Sequence, residues 1–124
     1  MARLKTSIQT KEILKDIQKR SNLRPNILAR IAINLSITSK FSIKDKNYDN
    51  EGLEFRRETL FGNYEILFKS LMNYDQNTNL TEENFFPYYT KLYLENGAKL
   101  LHSEYEFAGN IDTFLINILD NKVG

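Results

Sequence analysis

Residues 25–37, with the sequence P-N-I-L-A-R-I-A-I-N-L-S-I, decide the fold of this chain. Pro25 suits the first turn of a helix, where its missing N–H costs little. Apolar side chains then occupy most sides of that helix, and only Asn26, Arg30 and Asn34 form a polar stripe. A helix that is apolar on most sides is usually buried. We therefore predict a helix at the centre of the core or in a subunit interface.

A short strand and an amphipathic helix are predicted before this segment. Residues 3–8 alternate between polar and apolar side chains, as in a half-buried strand. Thr10 is predicted to cap the next helix, and residues 21–24 break it before Pro25. This order resembles the ribbon-helix-helix arrangement, in which strands of two chains pair into a ribbon in a DNA groove. Because so short a strand is not stable alone, that arrangement requires a dimer.

Two departures weaken the ribbon-helix-helix interpretation. The break at residues 21–24 lacks the expected glycine, and more than eighty residues follow the unit. The simpler alternative is that residues 3–8 form an extended arm.

The remainder of the chain is predicted to be mainly helical. Residues 38–52 have the composition of a loop, and residues 53–61 are compatible with either an extended segment or a short helix. A middle helix is predicted after Gly62 and Asn63, and a last helix is predicted to begin at Asn110. The class is therefore mainly α, a single domain over residues 1–124 with about five helices. The predicted inner face of the middle helix consists of Tyr64, Leu67, Phe68, Leu71 and Met72.

Residues 81–101 are predicted to form one kinked helix or two consecutive ones. Thr81 is placed to cap the start, and Pro87 either kinks the helix or opens a new one running to about Leu101. The predicted solvent side of this segment carries Lys91, Glu95 and Lys99.

Charge is divided unevenly along the chain. Residues 1–40 hold nine basic and two acidic residues, a net +7, whereas residues 41–124 hold eight basic and 14 acidic residues, a net −6. A surface of one sign raises the local concentration of a partner of the other sign. Nucleic acid phosphate is the leading candidate partner, and a solvated basic face without a partner is the alternative. The predicted DNA-binding residues are Arg3, Lys5, Lys11, Lys15, Lys19, Arg20 and Arg24.

Composition excludes several kinds of site. The chain has no cysteine, which excludes disulfides, thiolate metal sites and a persulfide carried by the protein itself. The five glycines are isolated, so no glycine-rich phosphate-binding loop is present, and no cofactor is predicted. The sequence contains neither a signal peptide nor an apolar stretch approaching the ~18 residues of a membrane span. We therefore predict a cytoplasmic protein without membrane contact.

No catalytic constellation is recognisable. His102 is the single histidine, and the acidic residues are dispersed, so neither metal binding nor paired-carboxylate hydrolysis is predicted. Tyr88 and Tyr89 could suggest a tyrosine nucleophile, but the nearest cation in sequence is Lys91 and core aromatic residues are the favoured interpretation. The sequence thus predicts a protein without catalytic residues.

Four segments together resemble the DndE family of the bacterial DNA phosphorothioation system. They are Leu23-Arg24-Pro25-Asn26-Ile27-Leu28-Ala29-Arg30-Ile31-Ala32, then Leu35-Ser36-Ile37, then Leu60-Phe61-Gly62, and finally Leu94 to Leu101 with its internal Gly97. The resemblance follows the family in order and length over nearly the whole chain, although each segment is short.

This resemblance implies a small subunit of the machinery that replaces a non-bridging phosphate oxygen with sulfur. It implies partners that include a desulfurase, an ATP-pyrophosphatase-like subunit and an SMC-like ATPase subunit. It also implies a self-associating helical protein, a homotetramer, that binds duplex or nicked DNA. Similarity to a carboxylase has been suggested for the family, but no residues here support that activity.

Three functions remain open from sequence. The first is a non-catalytic DNA-binding subunit of the phosphorothioation complex. The second is a ribbon-helix-helix transcriptional regulator or antitoxin, which would favour one operator over bulk DNA roughly a thousandfold or more. The third is an enzyme acting on DNA ends or nicks, which would show turnover with the purified chain.

Overall fold

Helices account for most of the chain in this computed structural model, which describes residues 3–39, 43 and 46–108. A 3-10 turn at Gly62–Tyr64 precedes the fourth α-helix, and a π-type turn at Asn84–Tyr89 precedes the fifth. The predicted mainly α class with a short N-terminal strand is confirmed, and the helix predicted from Asn110 lies outside the described residues. In chain order the elements are β1 (Arg3–Lys5), α1 (Ile8–Ser21), α2 (Pro25–Thr38), β2 (Glu54–Arg56), α3 (Arg57–Phe61), α4 (Glu65–Gln76) and α5 (Thr90–Ala108).

The core is organised around the crossing of α2 and α5. Leu28, Ala32 and Ile33 of α2 are completely buried, as predicted for this apolar segment. Gly97 lies where α5 passes α2, and a Cβ atom there would be 1.8 Å from the carbonyl oxygen of Ala32. Glycine, which lacks a Cβ, permits this close approach of the two helix backbones. Of the two positions predicted for residues 25–37, the centre of the core is the one that these residues occupy within the chain.

Strand β1 pairs with β2 of the same chain. The pairing is antiparallel, with Leu4 opposite Phe55, and both of these side chains face the core. Backbone hydrogen bonds between Thr6 and the segment 52–53 extend the pairing by one further step. The dimer that the ribbon-helix-helix interpretation required is therefore not needed to stabilise the strand, because the chain supplies its own second strand.

The ends of α1 differ from the prediction in two ways. Ser7, not Thr10, is the N-cap, and its Oγ accepts a hydrogen bond from the Thr10 N–H at 3.1 Å. At the other end Asn22 adopts a left-handed conformation with φ of 65°, and its N–H donates to the Gln18 carbonyl. Asparagine tolerates this conformation better than most residues. Asn22 therefore occupies the turn position for which a glycine was expected.

Glu95 of α5 is buried, although the sequence placed it on the solvent side. Its side chain is 1% exposed and accepts hydrogen bonds from the Ser7 N–H at 2.8 Å, the Ser7 hydroxyl at 2.5 Å and the Thr10 hydroxyl at 2.7 Å. The carboxylate thus lies at the amino terminus of α1, where the helix dipole favours negative charge. Glu95 therefore fixes the start of α1 against α5.

Replacing Glu95 with Leu is expected to lower the free energy of unfolding by about 2–4 kcal/mol, because three buried donors would lose their acceptor. Chemical denaturation followed by circular dichroism measures this change. Glu104→Leu, at a less buried position of the same helix, is the control and should change stability little. Equal stability of the two variants would contradict the anchoring role of Glu95.

Residues 53–61, for which the sequence allowed either an extended segment or a short helix, contain both, since β2 is followed directly by α3. Phe61 at the end of α3 lies 5.3 Å, between ring centroids, from both Phe68 and Phe85. Arg57 forms ion pairs with Glu65 and Glu82, which join α3 to α4 and to the segment before α5. An aromatic cluster and an ion-pair network therefore connect these three parts of the fold.

The inner face predicted for α4 is only partly correct. Phe68 and Met72 are buried, but Tyr64 and Leu67 are each 54% exposed. On the described surface α4 also presents Ile66, which is 81% exposed. The apolar residues of this segment therefore extend around more of the helix than the single inward face that periodicity predicted.

The segment before α5 agrees with the sequence at both Thr81 and Pro87. The Thr81 hydroxyl oxygen accepts a hydrogen bond from the Asn84 N–H at 3.1 Å, as expected of a helix cap. Phe86 has extended backbone angles, with φ of −138° and ψ of 124°. Extended backbone is the preferred conformation before proline. Pro87 therefore follows a break and begins the run that leads into α5, which continues beyond Leu101 to Ala108.

Candidate nucleic-acid interface

The outward side of α1 carries three of the predicted lysines. Thr10, Leu14 and Ile17 face the core. With about 3.6 residues per turn, Lys11, Lys15 and Lys19 shift by about 40° at each step away from that core-facing side. Lys11 is accordingly half-buried, whereas Lys15 and Lys19 are exposed.

None of the three lysines has an ion-pair partner among the residues that the structure describes. Their charges therefore add to one field on the outward side of α1, where a polyanion can approach them.

Arg20 differs from these lysines because its charge is already balanced. Its Nη2 lies 2.6 Å from an Asp16 oxygen and 2.5 Å from a Glu106 oxygen. Its guanidinium carbon also lies 4.8 Å from the centroid of the Tyr105 ring. These hydrogen bonds to Glu106 and Asp16 raise the pKa of Arg20 above its ordinary value. Arg20 ties α1 to the end of α5, so it contributes little to the field that a phosphate would meet.

The other predicted residues lie on the strand and at the start of α2. Arg3 and Lys5 project from the exposed face of β1, and Arg3 bonds Glu54 at 3.0 Å. Arg24 is exposed at the N-cap position of α2. The predicted residues thus occupy three consecutive elements, β1, α1 and the start of α2.

Sequence reasoning did not include Arg56 among the candidate DNA-binding residues. The register of the sheet places Arg56 directly opposite Arg3, on the same exposed face. Arg56 belongs by sequence to the acidic part of the chain, so the division of charge gave no signal for it. Its cross-strand position becomes known only once the pairing of β1 with β2 is known.

Arg30, the remaining basic residue in α2, has a structural role. Its Nε donates to the Leu60 carbonyl at 2.5 Å, and its Nη2 donates to the Thr59 carbonyl at 3.2 Å. These carbonyls belong to the last turn of α3, where a cation is favourable. Arg30 therefore holds α3 against α2.

Tyr88 and Lys91, two of the three residues considered for tyrosine catalysis, line an open groove of about 590 Å³. Tyr88 is 42% exposed there, so its assignment to the core was wrong, while Tyr89 packs against the core. Lys91 Nζ donates to the Asp49 carbonyl at 2.8 Å and to Asn50 Oδ1 at 2.7 Å. Burial lowers the pKa of Lys91. Lys91 therefore anchors the loop before β2 and is not directed at an incoming phosphate.

No assembled metal site is found in the described ranges. His102 is exposed on α5, and within residues 3–39, 43 and 46–108 no three His, Asp or Glu side chains are grouped closely enough to hold a metal ion. No helix in the same ranges is both long and apolar enough to cross a membrane.

A known protein family matches this chain over most of its length. The family model described as DNA sulphur modification protein DndE matches residues 3–109. The chain belongs to the DndE family. The matched region includes β1, the basic face of α1 and the crossing of α2 with α5. No curated protein sequence matches the chain.

Solved DndE structures share this fold. DndE from Escherichia coli B7A, described as involved in DNA phosphorothioation modification, superposes with a TM-score of 0.67 at 22% sequence identity. The match covers 82% of this chain and 96% of that one. A glycine-to-lysine double mutant of DndE, also described as involved in DNA phosphorothioation, gives a TM-score of 0.63 at 23% identity, with 81% and 96% covered.

Proposed function

We propose that this DndE family member is a non-catalytic, cytoplasmic DNA-binding subunit of the DNA phosphorothioation machinery. The observation that carries the proposal is the outward side of α1, where Lys15 and Lys19 are exposed and unpaired among the described residues. Lysines so placed can neutralise phosphates and release the counterions condensed on DNA. Such contacts do not depend on the base sequence of the DNA.

The absence of cysteine limits the part that this subunit can take in sulfur transfer. Sulfur carried as a protein persulfide requires a thiol, and the sequence contains none. The proposed role is therefore to hold duplex or nicked DNA for partner subunits, which include a desulfurase and ATP-hydrolysing components. No cofactor is proposed.

Fluorescence anisotropy with labelled duplexes tests this function. We expect binding that differs little between unrelated sequences and weakens steeply with salt, with each phosphate contact contributing about 0.9 to the slope of log K against log salt. A nicked duplex tests the preference implied by the family. Preference for one operator by a factor of roughly a thousand would favour the regulator alternative. Nicking or hydrolysis by the purified chain would favour an enzyme.

We also propose that the chain forms an even-numbered homo-oligomer, a tetramer. Ile66 and Tyr74 on α4 are 81% and 87% exposed, and large apolar side chains exposed in this way often mark contacts between subunits. Half-buried Ile31 and Leu35 add apolar surface on α2.

Light scattering of the wild type at micromolar concentration is expected to give the mass of a tetramer. Changing both Ile66 and Tyr74 to Ser should shift the mass toward smaller species without altering the helical circular dichroism spectrum, since neither side chain is buried. Ser70→Ala, an exposed position on the same helix, serves as control. A monomeric wild type would end the proposal of an oligomer.

A further inference from the structure

The outer face of the β1–β2 ribbon carries basic residues from both the basic part of the chain, residues 1–40, and the acidic part, residues 41–124. Arg3 lies opposite Arg56 and Lys5 lies opposite Glu54, and all four residues are exposed. We call these four residues the ribbon face. It contains three cations and one carboxylate, within a segment only three residues long on each strand.

The two arginines are in an unfavourable arrangement for the isolated protein. Side chains directly opposite each other on antiparallel strands have Cβ atoms only about 5 Å apart, and like charges at this distance are destabilising. The single carboxylate, Glu54, bonds Arg3 at 3.0 Å. Arg56 and Lys5 have no ion-pair partner within the described part of the chain. A bound polyanion would relieve this repulsion.

Arg57, the residue next to Arg56, differs from it in exposure and in its ion pairs. Arg57 is only partly exposed, and its guanidinium is held by Glu65 at 2.6 Å and by Glu82. These hydrogen bonds, that to Glu65 first, raise the pKa of Arg57. Of two consecutive arginines, one is therefore committed to the fold and the other is directed to solvent.

The ribbon face is also rigidly connected to the lysines of α1. Thr6 continues the ribbon through hydrogen bonds with Leu53 and Gly52, and the next residue, Ser7, caps α1. Glu95 holds Ser7 through both its backbone N–H and its hydroxyl. The orientation of the ribbon relative to α1 is consequently fixed before any ligand binds.

From this arrangement we infer that the ribbon face binds duplex DNA and that Arg56 contacts a backbone phosphate. The inference rests on the proposed DNA-binding function and extends it to a residue from the acidic part of the chain. A two-stranded ribbon fits the major groove of B-DNA, which is about 12 Å wide. The guanidinium fork of arginine matches the geometry of phosphate oxygens. Arg3 and Arg56 therefore form one phosphate-binding pair, which the single chain assembles without a second copy.

The test is to measure duplex affinity over a range of salt concentrations for Arg56→Gln and Glu54→Gln. Arg56→Gln should weaken binding several-fold and reduce the salt slope by about 0.9. Glu54→Gln removes the only carboxylate of the ribbon face and should tighten binding. Lys99→Gln, an exposed cation on α5, is the matched control and should have little effect. Opposite effects of two neighbouring substitutions would not arise from damage to the ribbon.

Thermal unfolding adds a second measurement. Arg56→Gln should be at least as stable as the wild type, because it removes a repulsive pair. If replacing Lys15 and Lys19 weakened DNA binding but Arg56→Gln did not, this inference would be overturned and the proposed function would stay intact. A wild type that does not bind DNA would overturn both. If Arg56→Gln weakened binding to an acidic protein subunit but left the affinity for DNA unchanged, the ribbon face would be assigned to a protein partner. That result would overturn the inference.

Discussion

Replacing Lys15 and Lys19 with Glu is expected to weaken duplex binding about a hundredfold or more at moderate salt. Two phosphate contacts are lost, and two negative charges are placed where the DNA backbone approaches. The slope of log K against log salt should fall by about 2 for the same reason. Fluorescence anisotropy measures both quantities. Lys11 is kept because it is half-buried, so its removal would also disturb packing.

Lys46 and Lys99 provide the matched control for this pair. Both are exposed, and both belong to the acidic part of the chain. Changing them to Glu alters the net charge by the same amount and should reduce affinity much less. Lys91 is unsuitable as a control because its ammonium group holds the loop before β2. Equal losses from the two double variants would show that net charge, and not the outward side of α1, governs binding.

Replacing Gly97 with Ala is expected to lower the free energy of unfolding by about 2–4 kcal/mol. The new methyl group would lie 1.8 Å from the Ala32 carbonyl oxygen, so α2 and α5 would have to separate. Alanine favours the helical conformation over glycine by about 1 kcal/mol, and this gain offsets only part of the steric cost. Urea denaturation gives the change, and Gly97→Val should prevent folding altogether.

Ser103→Ala is the control for Gly97→Ala, because Ser103 is exposed on the same helix. It should leave stability within about 0.5 kcal/mol of the wild type. If Gly97→Ala were as stable as this control, the close crossing of α2 and α5 would not be required for the fold.

Local patterns in the sequence determined the elements whose structure depends on nearby residues. The apolar segment 25–37 and its leading proline predicted α2 correctly, with the centre of the core as one of two possible positions, because the periodicity and burial of a helix follow from its own side chains. The four-residue spacing of Lys11, Lys15 and Lys19 likewise placed Lys15 and Lys19 on the exposed side of α1, whereas Lys11 is half-buried. Membership of the DndE family was also recognisable from short segments of the sequence.

The tertiary structure decided every feature that depends on residues distant in the chain. Glu95 has the spacing of a solvent-side residue between Lys91 and Lys99, yet hydroxyl and amide donors from Ser7 and Thr10 make its burial favourable. Arg20 matched the basic pattern, but its pairing with Glu106 depends on where the end of α5 lies.

The ribbon is the clearest case of this difference. No local signal pairs residues 3–5 with residues 54–56. The cost of closing the intervening chain is offset by contacts that form only in the folded protein, among them the burial of Leu4 and Phe55 in the core. That pairing supplied within one chain the strand that the ribbon-helix-helix interpretation sought in a second chain. It also brought Arg56 from the acidic part of the sequence next to Arg3. Helix periodicity is a property of neighbouring residues, whereas strand partners and buried charges are set by the whole folded chain.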